Sequence, residues 1–237
     1  MSDYELRRIL CMIGIILTTS TVHAAPAFVV GLSSAIGTSG VTQTINTTGA
    51  NFYAAAVSGA SGFAPTLTDS SSNIWTLVKS TVSTNTGLIL YYSSNVVTSA
   101  SYKLTLAAGS FSSICFGAFS GMQTSPTPFQ TFTSTSVSNG TTMTYPTITP
   151  TGSSLMTAGA SVNGAETISM NTSYVQASTQ AFVSGVAYGC GLDYLATSSA
   201  NGPSWTFSVN TDIAGVNAAF TAGALIGINP RQIIIIQ

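Results

Sequence analysis

Charge is nearly missing from this chain. Its 237 residues hold five Lys and Arg, six Asp and Glu, and one His, for a formal net charge of −1. A soluble domain ordinarily carries about a quarter charged residues. The shortage excludes nucleic-acid binding, which needs a basic patch to neutralise phosphates. The one histidine, His23, lies in the N-terminal segment, so with that segment removed a histidine triad or a histidine metal site is excluded. No G-x-S-x-G elbow, P-loop or G-x-G-x-x-G occurs. Beyond Ala25 no long stretch shows a helical period with caps, and no membrane span is expected once the N-terminal segment is removed.

That N-terminal segment has its own logic. Arg7 and Arg8 precede an apolar run over 9–22, followed by His23, Ala24 and Ala25. A basic start, a short apolar stretch and small residues at the end are the order of a secretory signal peptide. The expected signal is 1–24, with the mature chain starting at Ala25. An uncleaved anchor or a buried helix is the competing reading. The expected location is extracellular or cell-surface, with a virion as the alternative.

What replaces charge is hydroxyl. Serine and threonine make up roughly three residues in ten. Between them run short β-type segments, at 28–32, 41–45, 52–57, 66–68, 74–78, 88–92, 102–106 and 114–119. Turn signals recur about every 8–12 residues, the pattern of an all-β sandwich. In the 102–106 run Tyr102, Leu104 and Leu106 alternate with Lys103 and Thr105, so the first three share a buried face. Trp205, Phe207 and Val209 do the same later. Trp75 and Leu77 share a face as well, which makes Trp75 a core residue.

The chain reads as a unit written twice. The residues from Ile45 to Ala56 resemble those from Ile148 to Gly159 in order. Trp75 lies opposite Tyr174, Tyr102 opposite Trp205, and Phe119 opposite Phe220. The offset stays near a hundred residues, which is duplication and not a short-period solenoid. The expected fold is an all-β, jelly-roll-like antiparallel β-sandwich over 25–222, with halves at about 28–122 and 129–222. Two tandem immunoglobulin-like sandwiches are the alternative. Residues 223–237, with four consecutive isoleucines just before the final Gln237, are read as an apolar tail or terminal strand.

One segment adds a resemblance. Asp69, Asn73 and Trp75, within the run from Thr66 to Thr76, resemble the D-x-x-G-N-x-W turn and strand of a broad group of β-sandwich proteins. That group occurs among bacterial secreted proteins and tailed-phage virion proteins. Ser72 stands where its glycine is usual. The resemblance implies a jelly-roll-like sandwich and says little about activity.

Candidates for chemistry are few. Glycosidase chemistry needs two carboxylates about 5–10 Å apart. The acids available are Asp69, Glu166, Asp193 and Asp212, of which Asp193 is the one expected to point inward. No catalytic residue, metal site or cofactor is expected, and the chain is not read as an enzyme. Cys115 and Cys190 form a disulfide if export oxidises them, or are two small buried hydrophobes if not. Tyr91 and Tyr145 are the candidate ligand-contact residues, because sugar binding uses exposed aromatic faces. The expected function is that of a structural or surface protein, exported or virion-associated, acting through self-association or adhesion. Its expected partners are its own copies or other surface or virion proteins. A secreted glycan-binding module is the alternative.

Overall fold

The computed structural model describes residues 24–164, 167–170, 173–184 and 188–224. The expected signal peptide up to His23, most of the C-terminal tail, and Glu166 lie outside the described residues. Every regular element described is a β-strand, and the strands form two antiparallel six-stranded sheets packed against each other.

The first sheet holds β1 (Ala27–Val41), β2 (Phe52–Gly59), β3 (Thr66–Asp69), β4 (Thr76–Val82), β5 (Gly87–Ser94) and β6 (Leu104–Ser120). Its order is β1-β6-β2-β5-β4, with β3 paired to β6. The second holds β7 (Phe129–Thr144), β8 (Ser154–Asn163), β9 (Ile168–Met170), β10 (Val175–Gln180), β11 (Gly189–Thr197) and β12 (Ser204–Thr221). Its order is β10-β11-β8-β12-β7, with β9 paired to β12. Substituting β7 to β12 for β1 to β6 turns one order into the other. Each copy of the sequence therefore builds one sheet.

Register fixes which residues correspond. Phe52 stands opposite Phe119 and Ser94, and Leu155 opposite Phe220 and Ala196. From these anchors Ala56 corresponds to Gly159, Tyr91 to Asp193, and Phe116 to Asn217. Leu67 opposite Leu106 matches Ile168 opposite Phe207. Trp205 thus corresponds to Leu104, two residues from the Tyr102 expected. A slip of two keeps side chains on the same face, so the buried phase survives it.

Several expected strands merge. The runs at 28–32 and near 41 belong to one strand, β1, with register shifts around Gly37. Likewise 104–106 and 114–119 are both parts of β6. Gly37 and Gly109 have φ of 70° and 69°. Their left-handed backbone makes bulges within a pair, where a turn was expected. The long β6 can then pair with β3 at one end and β2 at the other.

The packing has three cores. The sheets meet with β1 over β10, β6 over β11, β2 over β8, β5 over β12 and β4 over β7. This pattern is unchanged when the halves are exchanged, so a pseudo-two-fold axis runs through the β2 and β8 contact. Phe52, Leu90 and Phe119 meet Leu155, Leu192, Val216 and Phe220 in the central core. The outer face of the first sheet is covered by Tyr53, Tyr102, Leu104 and Phe116. That of the second is covered by Tyr145, Tyr174, Trp205 and Phe207. Both faces are covered at the centre of each sheet, so β2 and β8 are buried along almost their whole length. In β2, Phe52, Ala54 and Ala56 enter the central core while Tyr53, Ala55 and Val57 enter the outer one.

Cys115 on β6 and Cys190 on β11 are joined as a disulfide between the sheets, with Cα atoms 6.0 Å apart. The symmetry-related place is filled by Leu88 and Val216, both fully buried. Polar contacts secure one end. Ser83 Oγ donates to the Val137 carbonyl at 3.0 Å, and Asn85 Nδ2 donates to the Asp212 carboxylate at 2.5 Å.

Candidate functional site

Of the two aromatic residues expected at an exposed ligand face, Tyr145 is buried and Tyr91 half-buried. Tyr145 is 2 % exposed, and its hydroxyl donates to the Gly159 carbonyl at 2.5 Å. It follows β7 in the chain but folds back over Gly215, where an added Cβ would clash with its hydroxyl. Tyr91 is half-buried against the first outer core and donates to the Pro65 carbonyl at 3.2 Å. Burial also raises the pKa of both hydroxyls, well above the usual range for Tyr145. The buried Tyr145 ring offers no free face of the kind sugar stacking uses, whereas the Tyr91 ring is half-buried.

The three described acids sit in three different settings. Asp212 is on β12, where its carboxylate accepts from Asn85 Nδ2 and from the Asn139 N–H. Asp69 closes the turn after β3. Asp193 points inward from the middle of β11, as expected, and is 2 % exposed. Among the described residues no group of three His, Cys, Asp or Glu side chains could hold a metal.

The Asp69 turn is a hydrogen-bonded knot made by the residues that carry the resemblance. Asp69 Oδ1 accepts from the Ser71 N–H at 2.8 Å, the Asn73 N–H at 3.2 Å and Asn73 Nδ2 at 3.3 Å. Its Oδ2 accepts from Trp75 Nε1 at 2.8 Å. Asn73 then clasps the chain at Val97, donating to its carbonyl at 3.1 Å and accepting its N–H at 2.6 Å. Ser72 adopts φ of 57° at the position where glycine is usual. Trp75 lies half-buried against Tyr53, with ring centroids 6.2 Å apart. It does not share its setting with Leu77. Leu77 is 54 % exposed on β4, a sheet edge.

This knot holds up an apolar surface. Ile74 is 83 % exposed and Val97 62 % exposed, on the two segments that Asn73 ties together. Leu77, on the edge strand β4, is exposed as well. Sequence reasoning missed these residues, although Ile74 between Asn73 and Trp75 is an apolar residue inside a turn, which was a usable signal. Charge is sparse around them. The described charged residues are Asp69, Lys79, Lys103, Asp193 and Asp212, and Asp193 is buried.

A second cluster lies on the covered face of the second sheet. Asn217, Ala158 and Asp193 stand side by side across β12, β8 and β11. Directly opposed residues share a face, so Asp193 and Asn217 face the same core with only a methyl between them. Asn217 is fully buried and accepts from the Tyr174 hydroxyl at 3.3 Å. Asp193 Oδ1 and Asn217 Nδ2 have no hydrogen-bond partner. The Trp205 ring lies over Gly191, where an added Cβ would sit 2.5 Å from ring carbons. Burial in this apolar setting pushes the Asp193 carboxyl up from 3.8 to about 7. Asn217 was not anticipated, yet it is the lone amide in the apolar run from Ile213 to Phe220.

No protein-family model, no curated protein and no solved structure matches the chain.

Proposed function

We propose that this is a non-enzymatic structural or surface protein, exported or virion-associated, that works by self-association or adhesion. The observation that carries the reading is the exposed apolar pair Ile74 and Val97, on segments tied together by the Asp69 and Asn73 knot. Apolar side chains this exposed and this firmly fixed suit contact with another protein surface. The favoured partner is another copy of the same chain. A net charge of −1 leaves almost no repulsion between copies. The disulfide between Cys115 and Cys190 supports an oxidising destination, in line with the expected export. The glycan-binding alternative loses the support of Tyr145, whose ring is packed, and keeps only the half-buried Tyr91.

Electron microscopy and sedimentation of the purified protein test the reading. Assemblies that form with the wild type and are lost with Ile74→Lys and Val97→Lys are expected. A wild type that stays monomeric at every concentration, and binds no other surface protein, would defeat it.

A further inference from the structure

The two halves differ most in chemistry at corresponding core positions. Where the first sheet carries Tyr91 and Phe116, the second carries Asp193 and Asn217. In the first half these places hold rings that fill the outer core. In the second half a carboxyl and an amide sit there instead, and Tyr145, Tyr174 and Trp205 close over them. An ionised carboxylate in such a core lacks both water and a counter-charge. Neighbouring elements supply no cation. Among the described residues, the titratable groups that cover Asp193 are Tyr145, ahead of β8, and Tyr174, ahead of β10. Both are held above their ordinary range by burial and stay neutral. β8 presents Ala158, β9 presents Ile168, β10 sets the exposed Gln176 directly opposite Asp193, and β12 presents Trp205 and Asn217.

We propose that Asp193, Asn217 and the covering Tyr145, Tyr174 and Trp205 form a proton-operated lock on the second half. With Asp193 protonated, the carboxylic acid stays in the core and the segments carrying Tyr145 and Tyr174 stay closed over β8, β11 and β12. Loss of the proton leaves a carboxylate in a core whose unpaired donors are Asn217 Nδ2 and Trp205 Nε1. The covering segments then give way, because admitting water costs less than holding a bare charge in an apolar core. The Tyr145 segment is held by backbone bonds that include the Tyr145 N–H to the Pro203 carbonyl and the Ile148 N–H to the Asn201 carbonyl. The first half has no such group at these positions, so it is an internal control. The raised acidity range of Asp193 places the change near neutral pH.

Native-state hydrogen exchange, read residue by residue between about pH 5 and pH 9, tests the lock. Protection factors at the Tyr145 and Ile148 amides should fall by about tenfold or more as pH rises. Those at the corresponding Thr42 and Ile45 amides, which bond the Leu104 and Tyr102 carbonyls, should not. Asp193→Asn should keep Tyr145 and Ile148 protected throughout. Equal pH dependence in the two halves of the wild type would overturn the proposal, as would an Asp193→Asn protein that still loses protection. Should that variant fail to fold, a carbon-13 carboxyl titration of the wild type decides. A midpoint for Asp193 near the ordinary aspartate range sinks the lock, and one near neutrality supports it.

Discussion

Ala56 lies against Gly159 across the middle of the molecule, and the two are corresponding residues of the two halves. A Cβ added to Gly159 would sit 3.0 Å from the Ala56 Cβ and 3.3 Å from Leu88 Cδ2. The pseudo-two-fold axis therefore passes through a place where one member of the pair had to lose its side chain. The closeness of β2 and β8 rests on that loss.

Gly159→Val should thus destabilise by about 1–3 kcal/mol, as overpacking of a tight core does. The urea midpoint would fall, with the slope of the transition unchanged. A midpoint equal to that of the wild type would mean that the sheets separate without cost.

The disulfide should matter through the unfolded chain. It spans 75 residues of sequence and links the two sheets. Replacing both Cys115 and Cys190 with Ala should cost about 2–4 kcal/mol. Leu88 and Val216 hold the related place by packing alone, so the double variant should still fold. Thermal melting of the two proteins side by side gives the answer.

At the Asp69 turn two substitutions should act in opposite directions. Asp69→Ala removes the acceptor for three backbone or side-chain amides and for Trp75 Nε1. A loss of about 2–3 kcal/mol is expected from charge-assisted hydrogen bonds of this kind. Ser72→Gly relieves a left-handed backbone, φ 57°, and should gain up to about 1 kcal/mol. Chemical denaturation of both variants checks the pair of signs.

Stability should also fall as pH rises. The folded Asp193 carboxyl titrates at about 7, against 3.8 for an unburied one. Below about pH 4 both states hold the proton, and burial carries no charge penalty. Between about pH 4 and pH 7 the unfolded chain releases its proton while the folded one keeps it, so unfolding becomes easier. Above about pH 7 both are ionised and the effect levels off. Asp193→Asn should remove this slope from a plot of unfolding free energy against pH, and raise stability at neutral pH.

Alternation was readable wherever a strand pairs regularly. Tyr102, Leu104, Leu106, Trp205 and Phe207 are all buried, as their period of two implies. Val209 breaks the rule at 45 % exposed. It lies where β12 has left β9 and has not yet met β8, a gap set by register shifts that periodicity does not carry. The inward aim of Asp193 was also readable, from its place within a strand beside Tyr194. Its meeting with Asn217 was not, because that depends on three strands lying in register. Tyr145 escaped for a similar reason. It lies outside a strand, and its burial follows from Gly215 leaving room beneath it.

The shared strand order has a consequence for what each half is free to be. Two sheets related by a two-fold axis have the geometry of an isologous homodimer, here carried on one chain. In a true homodimer every contact residue appears twice, so a disulfide partner or a buried acid would have to be tolerated at both related places. Joining the protomers end to end lifts that requirement. Cys115 with Cys190 on one side of the axis can face Leu88 with Val216 on the other, and Asp193 can stand where its counterpart is a tyrosine. The asymmetric features of this molecule are those that a symmetric ancestor could not have kept singly.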